Sequence, residues 1–299
     1  MIQLVPGDFK KPDWMKVKIK LPNGRYEKIR ETAKELKLAT VCEEAMCPNI
    51  SECWSGGTAT FMLMGDTCTR ACRFCHVNHG KPRPLDPQEP QHLAEAIGKL
   101  GIDYAVITCV DRDDVADGGA SHFAKCIEHL RTNFPRIMVE VLTSDFQGKQ
   151  ADIQKVMDAK PHVYAHNIET VERLQTVARD RRASYKQSLG VLEYVKKADS
   201  KMFTKSSIMV GLGEKPDEVL QAMKDLRTVG VIFLTIGQYL RPTAWNLKVT
   251  EYVAPEQFEE YEAKGLEMGF LYVAAGPYVR SSYKAGELFI KSCIEDKGK

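Results

Sequence analysis

Nine cysteines are spread over 299 residues, and six of them fall into two tight groups. The downstream group lies in MGDTCTRACRFCHVNHG, residues 64 to 80, where Cys68, Cys72 and Cys75 are spaced C-x3-C-x2-C. Cysteine thiolates are the ligands of iron–sulfur clusters, so one short loop can hold three corners of a cubane. A fourth local cysteine is missing. Structural zinc sites fill all four positions, whereas catalytic centres leave one open for a substrate or cofactor. A zinc reading would need a further donor, for which His76 and His79 are close at hand.

The upstream group is TVCEEAMCPNISECW, with Cys42, Cys47 and Cys53 spaced C-x4-C-x5-C. Pro48 and Asn49 favour a turn between the thiols, which lets the three converge. Alone, this spacing suits a zinc knuckle equally well. An odd cysteine count in two clusters fits metal ligation in a reducing compartment better than a disulfide framework, and the expected location is the cytosol. Cys109, Cys126 and Cys293 stand outside both groups and read as small apolar residues.

C-x3-C-x2-C with an aromatic, Phe74, before the last thiol resembles the loop of the radical S-adenosylmethionine (radical SAM) enzymes. With VCEEAMCPN, VDRDDVADGGA (110–120), HNIETV (166–171), MVGLGE (209–214), GQYLRPT (237–243) and GPYVRSSY (276–283), the chain is similar, along nearly its whole length, to the lipoyl synthases. The resemblance implies that Cys68, Cys72 and Cys75 bind a four-iron four-sulfur cluster. Its open iron would chelate SAM, and an electron would cleave SAM to a 5′-deoxyadenosyl radical. It also implies a second, auxiliary four-iron four-sulfur cluster on Cys42, Cys47 and Cys53. The fourth ligand of that cluster would be Ser282, with Ser281 the other candidate. Oxygen is a poor partner for soft iron beside thiolate, so that corner is where a sulfur-donating cluster would open.

Other residues take expected roles, Gly118 and Gly119 from the same resemblance and the rest from their own chemistry and place in the chain. Gly118 and Gly119 would let backbone approach the methionine end of SAM, and Gly211 and Gly213 its nucleoside. Asn167 and Glu169 would contact SAM, with helix capping as the competing role. Arg182 and Arg241 could grip the SAM carboxylate bidentately. Arg280 would restrain the serine, and Asp111 to Asp114 read chiefly as a loop-stabilising network. His92, His122, His129 and His162 read as surface or packed residues.

These residues need a frame. Apolar runs at 61–64, 104–110, 137–142, 163–165, 207–210, 232–236 and 271–275 read as buried strands. Helical spacing fills 91–100, 121–133, 150–158, 185–197, 216–229 and 255–268, and an earlier helix spans 26–38. This alternation predicts an α/β fold, a partial (β/α)6-type TIM barrel of the radical SAM kind with N- and C-terminal extensions. The expected units are 1–59 with the auxiliary-cluster cysteines, 60–275 as the barrel, and 276–299 with the serine. The motifs sit where strands end, the face on which barrels do chemistry.

A net charge of +2 gives no basis for nucleic-acid binding, and no apolar run approaches a membrane span. Pro6, Pro12 and Pro22 break up a basic arm containing Lys10, Lys11, Lys16, Lys18 and Lys20. The implied reaction inserts two sulfur atoms at the sixth and eighth carbons of an octanoyl chain on a carrier lysine. The carriers would be the glycine-cleavage H protein or dehydrogenase lipoyl domains. A flavodoxin or ferredoxin type reductant and an iron–sulfur carrier protein would serve the clusters. The alternatives are another radical SAM sulfur-inserting enzyme, such as a methylthiotransferase, and a non-enzymatic metal-stapled binding protein. The RSSY ending and the lack of an appended nucleic-acid module oppose the first. Iron content separates the second, since two cubanes carry about eight irons.

Overall fold

The computed structural model describes residues 10–15, 23–282 and 293. Lys16, Lys18, Lys20, Pro6, Pro22, Tyr283 and all of the final stretch except Cys293 lie outside the described residues. In chain order the strands are β1 (Ala39–Thr40), β2 (Thr60–Leu63), β3 (Thr67–Cys68), β4 (Asn78–His79), β5 (Tyr104–Cys109), β6 (Met138–Leu142), β7 (Val163–Ala165), β8 (Phe203–Val210), β9 (Phe233–Gln238) and β10 (Tyr272–Gly276). The α-helices are α1 (Gly24–Glu35), α2 (Val41–Glu44), α3 (Ile50–Ser55), α4 (Glu89–Leu100), α5 (Ala120–Asn133), α6 (Gln150–Asp158), α7 (Gln175–Ala178), α8 (Tyr185–Ala198), α9 (Pro216–Thr228) and α10 (Pro255–Glu267).

The main sheet runs β1-β2-β5-β6-β7-β8-β9-β10. Every pair is parallel except β1 with β2. Six strands, β2 and β5 to β9, form the expected barrel units, and β10 adds a seventh parallel strand beside β9. The order does not close on itself, so the barrel is partial. Parallel strands are covered on both faces, which is why β2 and β9 are buried at every position.

Local chemistry sets the helix ends. Asn23 caps α1 by accepting from the N–H groups of Arg25 and Tyr26. Proline opens α9 and α10 at positions where no amide hydrogen is needed. Gly101 ends α4 in the left-handed conformation at φ +65°.

Two boundaries differ from the sequence reading by about three residues or more. The strand expected at 207–210 begins at Phe203, because Lys205 and Ser206 are polar yet buried, on opposite faces of the strand, and break the apolar pattern. The helix expected at 26–38 occupies Gly24–Glu35. Strands β1, β3 and β4 and the short helices α2 and α3 carry too few residues to show a period.

One core spans the N-terminal segment and the barrel. Ile29, Leu36 and Trp54 belong to the same buried cluster as Phe61, Leu63, Leu93, Ile107 and Phe123. Each such side chain contributes about 1.5–3 kcal/mol when fully buried. At the N-terminal ends of the strands, Phe203 and Phe233 stack at 5.5 Å. Beside them the Glu140 carboxylate accepts from the Tyr104 hydroxyl and the Lys205 ammonium, both at 2.6 Å. The opposite end stays open as a cavity.

Candidate active site

The downstream triplet hangs from the end of β2. Met64 and Gly65 leave the strand with positive φ, +68° and +93°, and turn the chain over the barrel. Both peptide groups of that corner are held. The Met64 N–H donates to the Glu89 carboxylate at 2.9 Å, and Arg112 donates to the Met64 carbonyl at 3.2 Å. His122 bonds the same carboxylate at 2.6 Å, so it is a packed residue, as its sequence context suggested. The short pair β3 and β4 then closes the cysteine loop on itself.

Inside the loop, Arg70 is the anchor. Its side chain is 2% exposed and forks onto Asp113 at 2.8 and 2.9 Å and onto Asp145 at 2.7 and 2.8 Å. Such bidentate pairs fix geometry as well as charge. Burial raises the Asp113 pKa, but hydrogen bonds from Arg70 outweigh it and hold the carboxyl at about 2. Backbone N–H groups of Arg70 and Asp180 donate to the sulfurs of Cys68 and Cys72, both at 3.3 Å.

The upstream triplet is carried by α2, a turn and α3. The Cys47 N–H returns to the Cys42 carbonyl at 3.0 Å, and the Ile50 N–H to the Cys47 carbonyl at 3.3 Å, so the turn expected at Pro48–Asn49 is present. His76 donates from Nδ1 to the Glu44 carbonyl at 2.8 Å, tying the two cysteine loops together.

Both loops face one cavity of about 370 Å³. Cys42, Cys47, Cys68, Cys72 and Cys75 line it, together with Ser281, Ser282 and Arg280. A recess of about 20 Å³ is bounded by Cys42, Cys47, Cys53, Asn49, Arg280 and Ser282. Ser282 therefore borders both spaces, while Ser281 borders only the larger.

The thiols suit clusters better than single ions. Four sulfurs around one zinc ion sit roughly 3.8 Å apart, given zinc–sulfur bonds near 2.3 Å. In neither triplet do all three sulfurs lie within 4.8 Å of one another. Burial pushes the Cys42 and Cys75 thiols up to about 11 and Cys72 to about 12, and it raises Cys68 further. Ligation needs thiolates, so the iron charge has to supply what the buried loop does not.

The remaining wall is polar at one place. Asp111, Thr143, Ser144, His166, Asn167, Glu169 and Arg179 line it. Burial raises the Asp111 pKa, against the opposing pull of Arg70, and Ser144 donates a hydrogen bond to its carboxylate. Glu169 sits at φ +69°, strained for a side chain, and burial raises its pKa as well. Asn167 Oδ1 is buried without a hydrogen-bond partner. Such an orphaned acceptor suits a ligand carrying donors, as the hydroxyl and amino groups of SAM do. Apolar side chains also line the cavity, among them Met62, Val110, Leu142, Met209 and Leu240.

Several expected contacts fall elsewhere. Gly118 and Gly119 do not line the cavity. Gly119 starts α5 at φ +82°, and a Cβ there would meet Met64 Sδ at 2.1 Å, so this glycine serves close packing. Gly211 is likewise off the wall, pressed against Gln238 and the Glu251 carbonyl. Gly213 stands over Thr250 instead. Arg182 spends its guanidinium on Asp180 at 2.8 Å and on the Thr69 carbonyl at 2.7 Å, outside the cavity. Arg241 does line it, with Nε donating to the Asn246 carbonyl at 3.0 Å. Asn167 and Glu169 are on the wall as expected. Arg179, Ser144 and Asp145 carried no sequence signal, and Asn49 only that of a turn, whereas Arg70 could have been suspected from its place between two cysteines. Cys109, read as a packing residue, lines the cavity at the end of β5.

Comparison with known proteins agrees with this geometry. The Radical SAM superfamily model matches residues 62–226, and the model of the N-terminal domain of lipoyl synthase matches residues 6–47. The chain is 58% identical to the lipoyl synthase of Myxococcus xanthus, over 96% of each chain. It is 57% identical to that of Anaeromyxobacter dehalogenans, over 98% of this chain and 99% of that one. A mitochondrial lipoyl synthase of Branchiostoma floridae is 54% identical, over 99% of this chain and 81% of the other. Among solved structures, a methylornithine synthase shares the fold at TM-score 0.54 and 10% identity, over 94% and 90% of the two chains. The FeFe-hydrogenase maturase of Carboxydothermus hydrogenoformans does so at 0.55 and 14%, over 91% and 78%.

Proposed function

The chain belongs to the lipoyl synthase family of the radical SAM superfamily, and from that premise we propose that the cavity faced by both cysteine loops joins octanoyl-lysine, SAM and two iron–sulfur clusters. The reaction is radical insertion of two sulfur atoms into a protein-bound octanoyl chain. One observation supports this reading best: cysteines of both groups, Cys42 and Cys47 on one loop and Cys68, Cys72 and Cys75 on another, line the same cavity.

When bound, the clusters and SAM supply an electron, a hydrogen-abstracting radical and sulfur. The sixth and eighth carbons of an alkyl chain carry no acidic proton, so side-chain acid–base chemistry has nothing to act on, and the cofactors take that part. The protein's part is holding and shielding. Cys68, Cys72 and Cys75 hold the SAM-cleaving cluster, in a loop fixed by Arg70. Cys42, Cys47 and Cys53 hold the auxiliary cluster, with Ser282 as the fourth ligand. Asp111, Asn167 and Glu169 bind the polar groups of SAM, and Arg179 takes over the carboxylate-binding role that Arg182 is too occupied to fill. Arg241 contributes at the rim. The apolar wall of Met62, Val110, Leu142, Met209 and Leu240 aligns the acyl chain and keeps water out.

The protein-borne substrate would come from the glycine-cleavage H protein or a dehydrogenase lipoyl domain. A flavodoxin or ferredoxin type protein would supply electrons, and an iron–sulfur carrier protein would rebuild the auxiliary cluster. All nine cysteines are free thiols in the structure, which suits a reducing compartment, and the cytosol is the one we propose. Among the described residues no helix is long and apolar enough to cross a membrane.

The test is anaerobic incubation with SAM, dithionite and an octanoyl-lysine peptide, followed by mass spectrometry. Cys68→Ala, Cys72→Ala or Cys75→Ala abolishes 5′-deoxyadenosine. Cys42→Ala, Cys47→Ala or Cys53→Ala keeps it but yields no thiolated peptide. Loss of 5′-deoxyadenosine in the second set as well would overturn the division.

A further inference from the structure

A serine near the C-terminus has to be delivered to cysteines near the N-terminus, and one side chain bridges that gap. Asn49 occupies the cap position of α3, the helix that carries Cys53. Asparagine there ordinarily turns its side chain onto the first amides of its own helix. Asn49 makes no such bond. Its Nδ2 donates to the Tyr278 carbonyl at 2.7 Å, across 229 residues of sequence. The side chain is buried, with Asn49 only 5% exposed, and it borders the recess shared by the three upstream cysteines and Ser282.

The rest of the stretch is pinned from other sides. The Tyr278 hydroxyl donates to the Met15 carbonyl. Gly237, in β9, lies so close that a Cβ would meet the Val279 carbonyl at 2.1 Å. Arg280 folds back to donate to that same carbonyl at 2.7 Å. Of these contacts, only the one from Asn49 originates inside the upstream cysteine motif.

We propose that Asn49 is the positioning residue for Ser282: its amide holds the Tyr278 peptide so that the serine, four residues on, stands over the upstream cysteines. This rests on the reading that Ser282 is a ligand. The forgone helix cap is the reason an asparagine, with its NH2 donor, is required where aspartate or serine would cap α3 equally well. Asn49→Asp keeps the shape but sets a carboxylate against a carbonyl, so it detaches the stretch.

The test uses protein with both clusters reconstituted, and also the Cys68→Ala/Cys72→Ala/Cys75→Ala background that isolates the upstream cluster. Mössbauer and electron paramagnetic resonance spectra are compared for wild type, Asn49→Asp, Ser282→Ala and the double variant, with hydrogen exchange read at residues 276–282. Asn49→Asp should move the upstream spectrum toward that of Ser282→Ala and add nothing in the double variant. It should speed exchange over 276–282 and lower thiolated product roughly 10- to 100-fold, the usual cost of losing a group that orients a metal ligand. The SAM cleavage yield, read in the variant with both clusters, should hold. Gly237→Ala pushes the same stretch from the other side and should give the same spectral shift if Asn49→Asp fails to fold. A spectrum that changes with Ser282→Ala but not with Asn49→Asp overturns the proposal alone. A spectrum unmoved by Ser282→Ala overturns the serine reading and the proposal together.

Discussion

Arg70 shows how much of the site is held by a residue that does no chemistry. It stands between Cys68 and Cys72, and its guanidinium is spent on Asp113 and Asp145. Removing one member of a buried ion pair leaves the other charge uncompensated, at a cost of about 3–5 kcal/mol. Arg70→Gln should lose that much in guanidinium unfolding and load iron poorly at the downstream triplet. Arg70→Lys, which keeps the charge but lacks the fork, should fall between. A loss under about 1 kcal/mol would remove Arg70 from the account.

His166 makes a second prediction. Its Nδ1 donates to the Thr143 carbonyl and its Nε2 accepts from the Ser188 hydroxyl, both at 2.9 Å. Burial, helped by nearby Arg179, lowers its pKa from the ordinary 6.5 to about 4. The folded state thus resists a proton that the unfolded chain accepts. The stability from neutral His166 is complete above about pH 6.5 and is lost as pH falls toward 4, on the order of 3 kcal/mol in all. His166→Gln should flatten the unfolding midpoint between pH 7 and 4.5; an unchanged slope would contradict this. The HNIETV motif marked His166 in the sequence, but its partner Ser188 lies on α8, which no local pattern connects to it.

At the scale of elements, the strands and longer helices were legible because their periods repeat over several residues. The failures are physical. Strand β8 hid its first half because Lys205 and Ser206 are polar yet buried, and a polar residue in a strand looks like its edge. The glycines were ambiguous for the opposite reason. A Gly-Gly pair before a helix has several uses, and here Gly118 and Gly119 both have positive φ while Gly119 packs against Met64, off the cavity wall. The buried trio of Tyr104, Glu140 and Lys205 explains why β8 tolerates its lysine, and it makes a prediction at this scale. Lys205→Met alone should cost about 3–5 kcal/mol by stranding Glu140, whereas Lys205→Met with Glu140→Leu should recover most of that. Urea unfolding of the set checks the coupling, and additive losses would show that the pair is not one unit.

At the scale of the molecule, neither cysteine triplet announces where it points. Each was visible as a motif, but their common cavity depends on a parallel sheet whose strands all end on one side, and on two segments from outside the barrel. Residues 41–48 and 279–282 arrive from opposite ends of the chain and share the wall with Cys68, Cys72 and Cys75. That meeting is a product of topology. It also sets the chemistry, because a carbon radical made beside one triplet needs sulfur within reach, and only a shared cavity provides it.

The direct measurement follows the sulfur. The protein is reconstituted with iron and ³⁴S-sulfide, freed of excess sulfide, and given SAM, dithionite and octanoyl-lysine peptide of natural isotopic composition. Mass spectrometry of the product should find both inserted atoms heavy, and the Cys42→Ala protein should make none. Light sulfur in the product, with the upstream cluster still intact, would contradict the account.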